Sequence, residues 1–314
     1  MRFFKRAKKY RGSLVMAFLG DGVAAVSVKR PPASKPILSM NVFFPCAIPV
    51  APEALEKIGK ELGAGAYRCG TILGGGEYQL LALEAPNVPA DEVKTAIRWR
   101  LKDMLDFSVD EATIDVLRMP GDKNASVATH HVFAVAARNG VIEQRQNLFA
   151  QAKIGLDVID IPEMAQRNIS ALLEPEGRGL AMLSFNADGG LLTVTFGGEL
   201  YLSRRIDVSI QQLRETDPDK KHASLDKITL ELQRSLDHFD RQFHFINVSK
   251  LVLAPNGAAG LDEYLSSNMY MPVETLDLAD VIDLSVAPEL AAAEQQQRFF
   301  LTLGAALRFE DASQ

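Results

Sequence analysis

Residues 14–28 read LVMAFLGDGVAAVSV, two apolar runs with Gly20-Asp21-Gly22 between them. Leu14 to Leu19 and Val23 to Val28 are each strand length, and the break supplies residues that tight hairpin turns favour. The same plan starts again in the second half. Leu180 to Phe185 is apolar, and Leu191 to Phe196 and Glu199 to Arg205 flank Gly197-Gly198, a two-residue turn. Each half opens on hairpin strands and continues with helices interleaved with strands. The halves are not similar in sequence, so the repeat is one of architecture. Two strand–helix lobes facing each other across a cleft would satisfy it.

Working outward, Pro31 to Pro36 is a loop, because proline cannot donate to a ladder. Pro52 to Leu62 reads as a helix with Ala54, Leu55, Ile58 and Leu62 on one face. Arg68 to Leu73 and Tyr78 to Leu83 flank Gly74-Gly75-Gly76 and are expected to form another hairpin. Asp91 to Leu105 is a helix whose stripe is Val93, Ile97, Leu101 and Leu105. Thr113 to Met119, Val132 to Ala137 and Leu156 to Ile161 are strands; Asn139 begins one helix and Pro162 opens another, to Leu173. Ser224 to Phe243 is a long amphipathic helix with the stripe Leu225, Ile228, Leu232, Leu236, Phe239 and Phe243. Lys250 to Leu253 is a strand, Leu261 to Met269 a helix, Val273 to Leu276 a strand, and Glu294 to Phe309 a closing helix. These sort into a first lobe (12–84 plus 163–179), an inserted subdomain (85–162) and a second lobe (180–314).

Composition narrows the function classes. The chain has 314 residues, 47% hydrophobic and 24% charged, as globular proteins do. A formal net charge of −6 argues against a general nucleic-acid binder, which needs a clustered basic surface. Cys46 and Cys69 fit no zinc, redox or disulfide pattern, so a reducing cytoplasm is expected. No run reaches the roughly 20 apolar residues that span a bilayer. Met1 to Arg11 carries Arg2, Lys5, Arg6, Lys8, Lys9 and Arg11 before an apolar run, as a signal peptide does, but Gly20-Asp21-Gly22 cuts that run short. The arm reads either as a solvated terminus or as a weak contact to anionic lipid helped by Phe3 and Phe4.

Specific segments carry a family resemblance. Asp91 to Leu101, DEVKTAIRWRL, followed by Leu105-Asp106-Phe107, is similar to a segment E-I-x-x-A-I-R-W-E-L…L-P-F of the type IV pilus assembly PilM family. Val135-Ala136-Ala137-Arg138, Ile154-Gly155-Leu156 and Val158-Ile159-Asp160 resemble its V-A-A-R…A-G-L…V-V-D-V segment. Ile228 to Phe239 resembles its E-I-Q-R-S-L helix, and Leu261 to Leu265, Pro272 to Asp277 and Thr302 to Arg308 also fit. The matches run in order over nearly the whole chain. The resemblance implies an α/β, actin-like (RNase H-like duplicated) two-lobe ATPase fold with an inserted α+β subdomain. It implies a cytoplasmic adaptor, peripheral at the inner membrane, that binds the cytoplasmic N-terminal peptide of a PilN-like single-pass membrane protein, in a groove involving residues 85–162. A link to the pilus motor ATPase and a homodimer are further implied partners. Members of the family hold ATP between the lobes.

The loops that would hold it depart from the family here. The first needs Asp-x-Gly, a carboxylate for the metal and a glycine that lets backbone N–H groups approach phosphate. With Gly22 on the family glycine, Gly20 stands where the aspartate belongs, and Asp21 substitutes only by a register shift. The second loop's Asp-Ile-Gly falls on Ser184-Phe185-Asn186; Asp188-Gly189-Gly190 beside it offers a different anion nest. The third, usually G-G-G-A, reads Ala254-Pro255-Asn256-Gly257-Ala258-Ala259, and Pro255 has no N–H. The expected state is a degenerate nucleotide site: no catalytic residue, no metal, no required cofactor, with Asp21, Gly22, Asp188, Gly189, Gly190, Asn256 and Gly257 as its remnants. The alternative is a weak ATP-binding or ATP-hydrolysing protein built on those remnants. His130, His131, His222, His238 and His244 show no metal-ligand spacing, and no P-loop, G-x-S-x-G or H-E-x-x-H occurs. Gly74-Gly75-Gly76 has no lysine after it and reads as a turn. Arg98-Trp99-Arg100 reads either as a partner-facing patch or as Trp99 packing its helix onto the insert.

Overall fold

The computed structural model describes residues 10–32, 34–89, 91–121 and 131–308. Most of the basic arm, His130 and the expected helix end at Phe309 lie outside the described residues. Among those described, no helix is long and apolar enough to cross a membrane.

The opening runs form the hairpin their glycine break suggests. β1 (Ser13–Leu19) and β2 (Gly22–Lys29) pair antiparallel with Leu19 opposite Gly22. β3 (Ile37–Pro45), an element the sequence reading did not contain, extends the meander on the far side of β2. It is a mostly half-exposed edge strand, so its apolar pattern is weak. After α1 (Pro52–Glu61) the chain returns as β4 (Arg68–Ile72), parallel to β1.

The chain then leaves the lobe. β5 (Tyr78–Glu84), α2 (Val93–Leu101), β6 (Ala112–Met119), β7 (His131–Arg138) and α3 (Asn139–Gln151) make a small α+β unit, its antiparallel sheet ordered β5-β7-β6. Ile97 and Leu101 of α2 pack against Ile114, Val132, Ala134 and Ala136 on one face of that sheet. The chain re-enters the lobe as β8 (Leu156–Asp160), parallel to β4, completing the order β3-β2-β1-β4-β8.

Two expectations are corrected here. β4 and β5 are not a hairpin: β4 sits between β1 and β8, and β5 pairs with β7. Apart from Arg68, β4 is buried throughout, the mark of a central parallel strand, and Gly74-Gly75-Gly76 is the exit from one sheet to another. The boundaries move accordingly. β5, assigned to the first lobe, belongs to the insert, and β8, assigned to the insert, belongs to the first lobe.

The second lobe repeats the first. α4 (Pro162–Ser170) leads to β9 (Gly179–Asn186), β10 (Gly189–Phe196) and β11 (Glu199–Ile206), then α5 (Ile210–Leu213), α6 (Pro218–Gln242), β12 (Val248–Leu253), α7 (Leu261–Asn268), β13 (Val273–Thr275) and α8 (Ala293–Ala306). Its order, β11-β10-β9-β12-β13, is the first lobe's order again: a three-stranded antiparallel meander, then two parallel strands. α6 starts before its apolar stripe, because Asp217 caps the N–H groups of Asp219 and Lys220 and Pro218 fits the first turn.

The lobes exchange helices. α4 follows the first lobe's last strand but packs on β9, β10 and β11, while α8 closes the second lobe and packs on β1 and β2. The two helices cross closely. Asn168 donates to the Gly304 carbonyl at 2.9 Å, and a Cβ on Gly304 would stand 2.2 Å from the Ala165 carbonyl oxygen. One core cluster therefore holds Val26 and Leu38 of the first lobe, Met182 and Val252 of the second, and Phe300 and Leu303 of α8.

Candidate functional site

A cavity of about 530 Å³ lies between the lobes, where the β1–β2 turn, the β9–β10 turn and Pro255 meet α5 and α8. The three loops singled out in the sequence thus do converge. Their polar groups are largely spent on the protein itself.

Asp21 faces this cleft and is held by Arg298 of α8, whose Nη2 lies 2.7 and 2.8 Å from the two carboxylate oxygens. The Arg298 guanidinium stacks 3.8 Å from the centroid of the Phe43 ring. Gly22 meets a packing requirement of the fold. A Cβ there would meet the Phe44 carbonyl oxygen at 2.2 Å and the Phe43 ring at 2.7 Å, because β3 runs against it.

Ser184 is buried and donates to Oε1 of Gln166 at 2.5 Å. Gln166, reaching from α4, donates to the Met182 carbonyl, the Leu191 carbonyl and the Thr193 hydroxyl at 2.8–3.1 Å. The Asn186 side chain accepts from the Asp188 N–H at 2.8 Å. Asp188 lines the cleft and accepts from the Gly75 N–H at 3.3 Å. Gly189 and Gly190 follow Asp188 into the sheet. They lie inside β10, opposite Asn186 and Phe185, where a Cβ would strike the Ile206 carbonyl and the Phe185 ring respectively.

Asn256 and Gly257 do not line the cleft; Pro255 does. The Asn256 side chain accepts from Ala258 N–H at 2.7 Å and donates to the Ala254 carbonyl at 3.1 Å, an internal turn. Arg214 and Lys221 donate to the carbonyls of Asn256 and Ala259 at 2.6 and 2.8 Å. Gly257 takes φ +61°, and a side chain there would meet Glu294. Among the described residues no three His, Cys, Asp or Glu side chains converge to hold a metal ion.

Arg98-Trp99-Arg100 lies on α2, away from this cleft. Arg98 donates to the Ala112 carbonyl at 3.2 Å and Arg100 to that of Glu84 at 2.7 Å, so both clamp their own sheet. Trp99 is 74% exposed, which overturns the reading that it packs onto the insert.

A second cavity, of about 780 Å³, was not foreseen in detail. It is a groove between the first lobe and α3 of the insert, lined by Phe18, Ile48, Val50, Val141, Asn147 and Leu148 among others. Ile48 is an exposed apolar side chain at this groove. The amides Gln144, Asn147 and Gln151 of α3 also line it. The lining comes from segments far apart in sequence, so no local motif marks it.

Comparison with solved structures settles the architecture. The chain superposes on a structure described as the PilM-PilN type IV pilus biogenesis complex with a TM-score of 0.74, at 20% identity, covering 94% of this chain and 98% of that one. The fold is actin-like. A Bacteroides thetaiotaomicron protein described as having an actin-like ATPase fold and unknown function agrees, with a TM-score of 0.50 at 10% identity over 93% of this chain and 99% of that one. No family model matches the chain, and no curated protein does. In the actin-like frame, the helix exchange and the duplicated sheet order are what place the three loops around one cleft.

Proposed function

We propose that this chain is an adaptor of type IV pilus assembly, of the MSHA kind, that works at the cytoplasmic side of the inner membrane. It receives the N-terminal peptide of a PilN-like single-pass membrane protein in the groove between the first lobe and the insert. The likeness in fold to PilM of the PilM-PilN complex over nearly the whole chain supports this reading. The observation that carries it is the groove itself, whose lining combines apolar side chains with amides of α3. That lining suits a short extended peptide, with aliphatic side chains against Ile48, Val50 and Leu148 and backbone groups bonded by Gln144 and Asn147.

The interlobe cleft is proposed as a degenerate nucleotide site, and the protein as a scaffold without turnover. Support comes from Asp21 paired with Arg298, Ser184 bonded to Gln166, and Asn256 closed on its own loop. A magnesium nucleotide needs a free carboxylate and free N–H donors in those places. Contact with the motor ATPase and self-association are proposed as secondary.

The test is fluorescence anisotropy with a labelled peptide from the cytoplasmic N-terminus of a PilN-like protein. Ile48→Arg places a charge at the groove wall on an exposed side chain and is expected to weaken binding by about tenfold or more, with the melting temperature held. Equal affinity for wild type and variant would remove the groove from the account.

A further inference from the structure

The groove and the cleft share a wall: Phe18, Leu19, Gly20, Ile72, Gly74 and Asp188 line both. Within that wall runs Gly74 to Tyr78, the segment that carries the chain from β4 into the insert. It is fastened on both sides. Toward the groove, Glu77 accepts from the Gly74 N–H at 2.7 Å and takes the Arg145 guanidinium of α3 at 2.7 and 2.8 Å. Arg145 also lies 4.7 Å from the centroid of the Phe18 ring. Toward the second lobe, the Gly75 N–H donates to Asp188, and the Arg205 guanidinium lies against Gly75, 2.7 Å from where a Cβ would stand.

The next link is buried. The Tyr78 hydroxyl donates to Glu163 at the start of α4 and accepts from Arg205 of β11 at 2.5 Å. Arg205 closes the triangle on the other Glu163 oxygen at 3.2 Å. Glu163 is 1% exposed, so both its oxygens depend on these two donors. Burial, reinforced by Glu163, pushes the Tyr78 phenol well above its ordinary range and keeps it a donor. Consecutive residues, Glu77 and Tyr78, thus connect α3 of the groove to the second lobe. The insert also packs on that lobe through Met119 and Phe133, and His131 lies edge-on to Phe243.

We propose that the Gly74–Tyr78 segment couples the groove to the interlobe cleft, so that occupancy of the groove and the setting of the second lobe are linked. A ligand that displaces Arg145 or Glu77 shifts Gly75 and Tyr78 against Asp188 and Arg205. By linkage, a change at the triad alters the groove in return. The identity of the groove's ligand rests on the peptide reading above; the coupling does not.

Hydrogen exchange on the full chain tests it, with Tyr78→Phe, Arg145→Gln and, as a surface control, Arg204→Gln. Tyr78→Phe is expected to speed exchange along residues 145–151 of α3, beyond Val141 and Ile142 that pack in its own cluster, by about fivefold or more, while β2 keeps its protection. Arg145→Gln is expected to speed exchange at Asp188–Leu191, across the wall. Effects confined to each residue's own partners, as for the control, would overturn the coupling. If Tyr78→Phe unfolds the whole chain, the Arg145→Gln result decides. The labelled peptide adds an independent arm: its Kd shifts about fivefold in Tyr78→Phe if coupling holds, and stays unchanged if it does not. Should wild type not bind the peptide at all, the peptide reading falls and exchange alone decides the coupling.

Discussion

At Gly22 the carbonyl of Phe44 comes so close that a methyl group has no room. Gly22→Ala is expected to destabilise the chain by about 1–3 kcal/mol in denaturant unfolding, as overpacking does; an unchanged midpoint would mean that β3 is free to move. The Asp-x-Gly pattern drew attention to this glycine, but its packing against β3 was not legible, because the apolar pattern of that edge strand is weak. Glu56 offers a pH test. Hydrogen bonds from Lys153 and then Lys60 lower its carboxyl to about 2, tying α1 to the segment after α3. Its folded pKa lies below the unfolded value, so its contribution is present above about 4.3 and is lost as pH falls toward 2. An NMR titration should show a Glu56 midpoint near 2, and Glu56→Gln should flatten that part of the acid-stability curve; a midpoint at the ordinary value would contradict the tether.

Among the elements, α4 does what its amphipathic pattern did not announce. Gln166 enters the second lobe's core and bonds two strands at once. Gln166→Leu strands the Ser184 hydroxyl and two buried carbonyls, with an expected loss of about 1–3 kcal/mol by thermal or chemical unfolding; a neutral result would mean that water replaces the amide. Strongly periodic elements were legible, and the buried stripe of α6 falls on Leu225, Ile228, Leu232, Leu236 and Phe239 as its spacing required. Partnership between strands was not. β4 and β5 are both apolar and flank glycines, yet their partners lie far along the chain, and short-range pattern carries no information on parallel pairing.

For the whole molecule, the duplication was readable as a repeated hairpin plan, and the matching sheet orders bear it out. The helix exchange between lobes was not readable, since α4 and α8 each look like ordinary amphipathic helices until they cross at Gly304. The cleft was legible loop by loop; for the groove only the insert's part in it was, because the lining is assembled from several distant segments. The central claim is that the groove binds a peptide while the cleft serves the protein's own side chains. Isothermal titration of the PilN-like N-terminal peptide into the full chain, with and without Mg-ATP, tests it most directly. One peptide should bind per chain with the same Kd in both conditions, with no heat from Mg-ATP alone. Peptide binding that requires Mg-ATP, or saturable heat from Mg-ATP by itself, would contradict it.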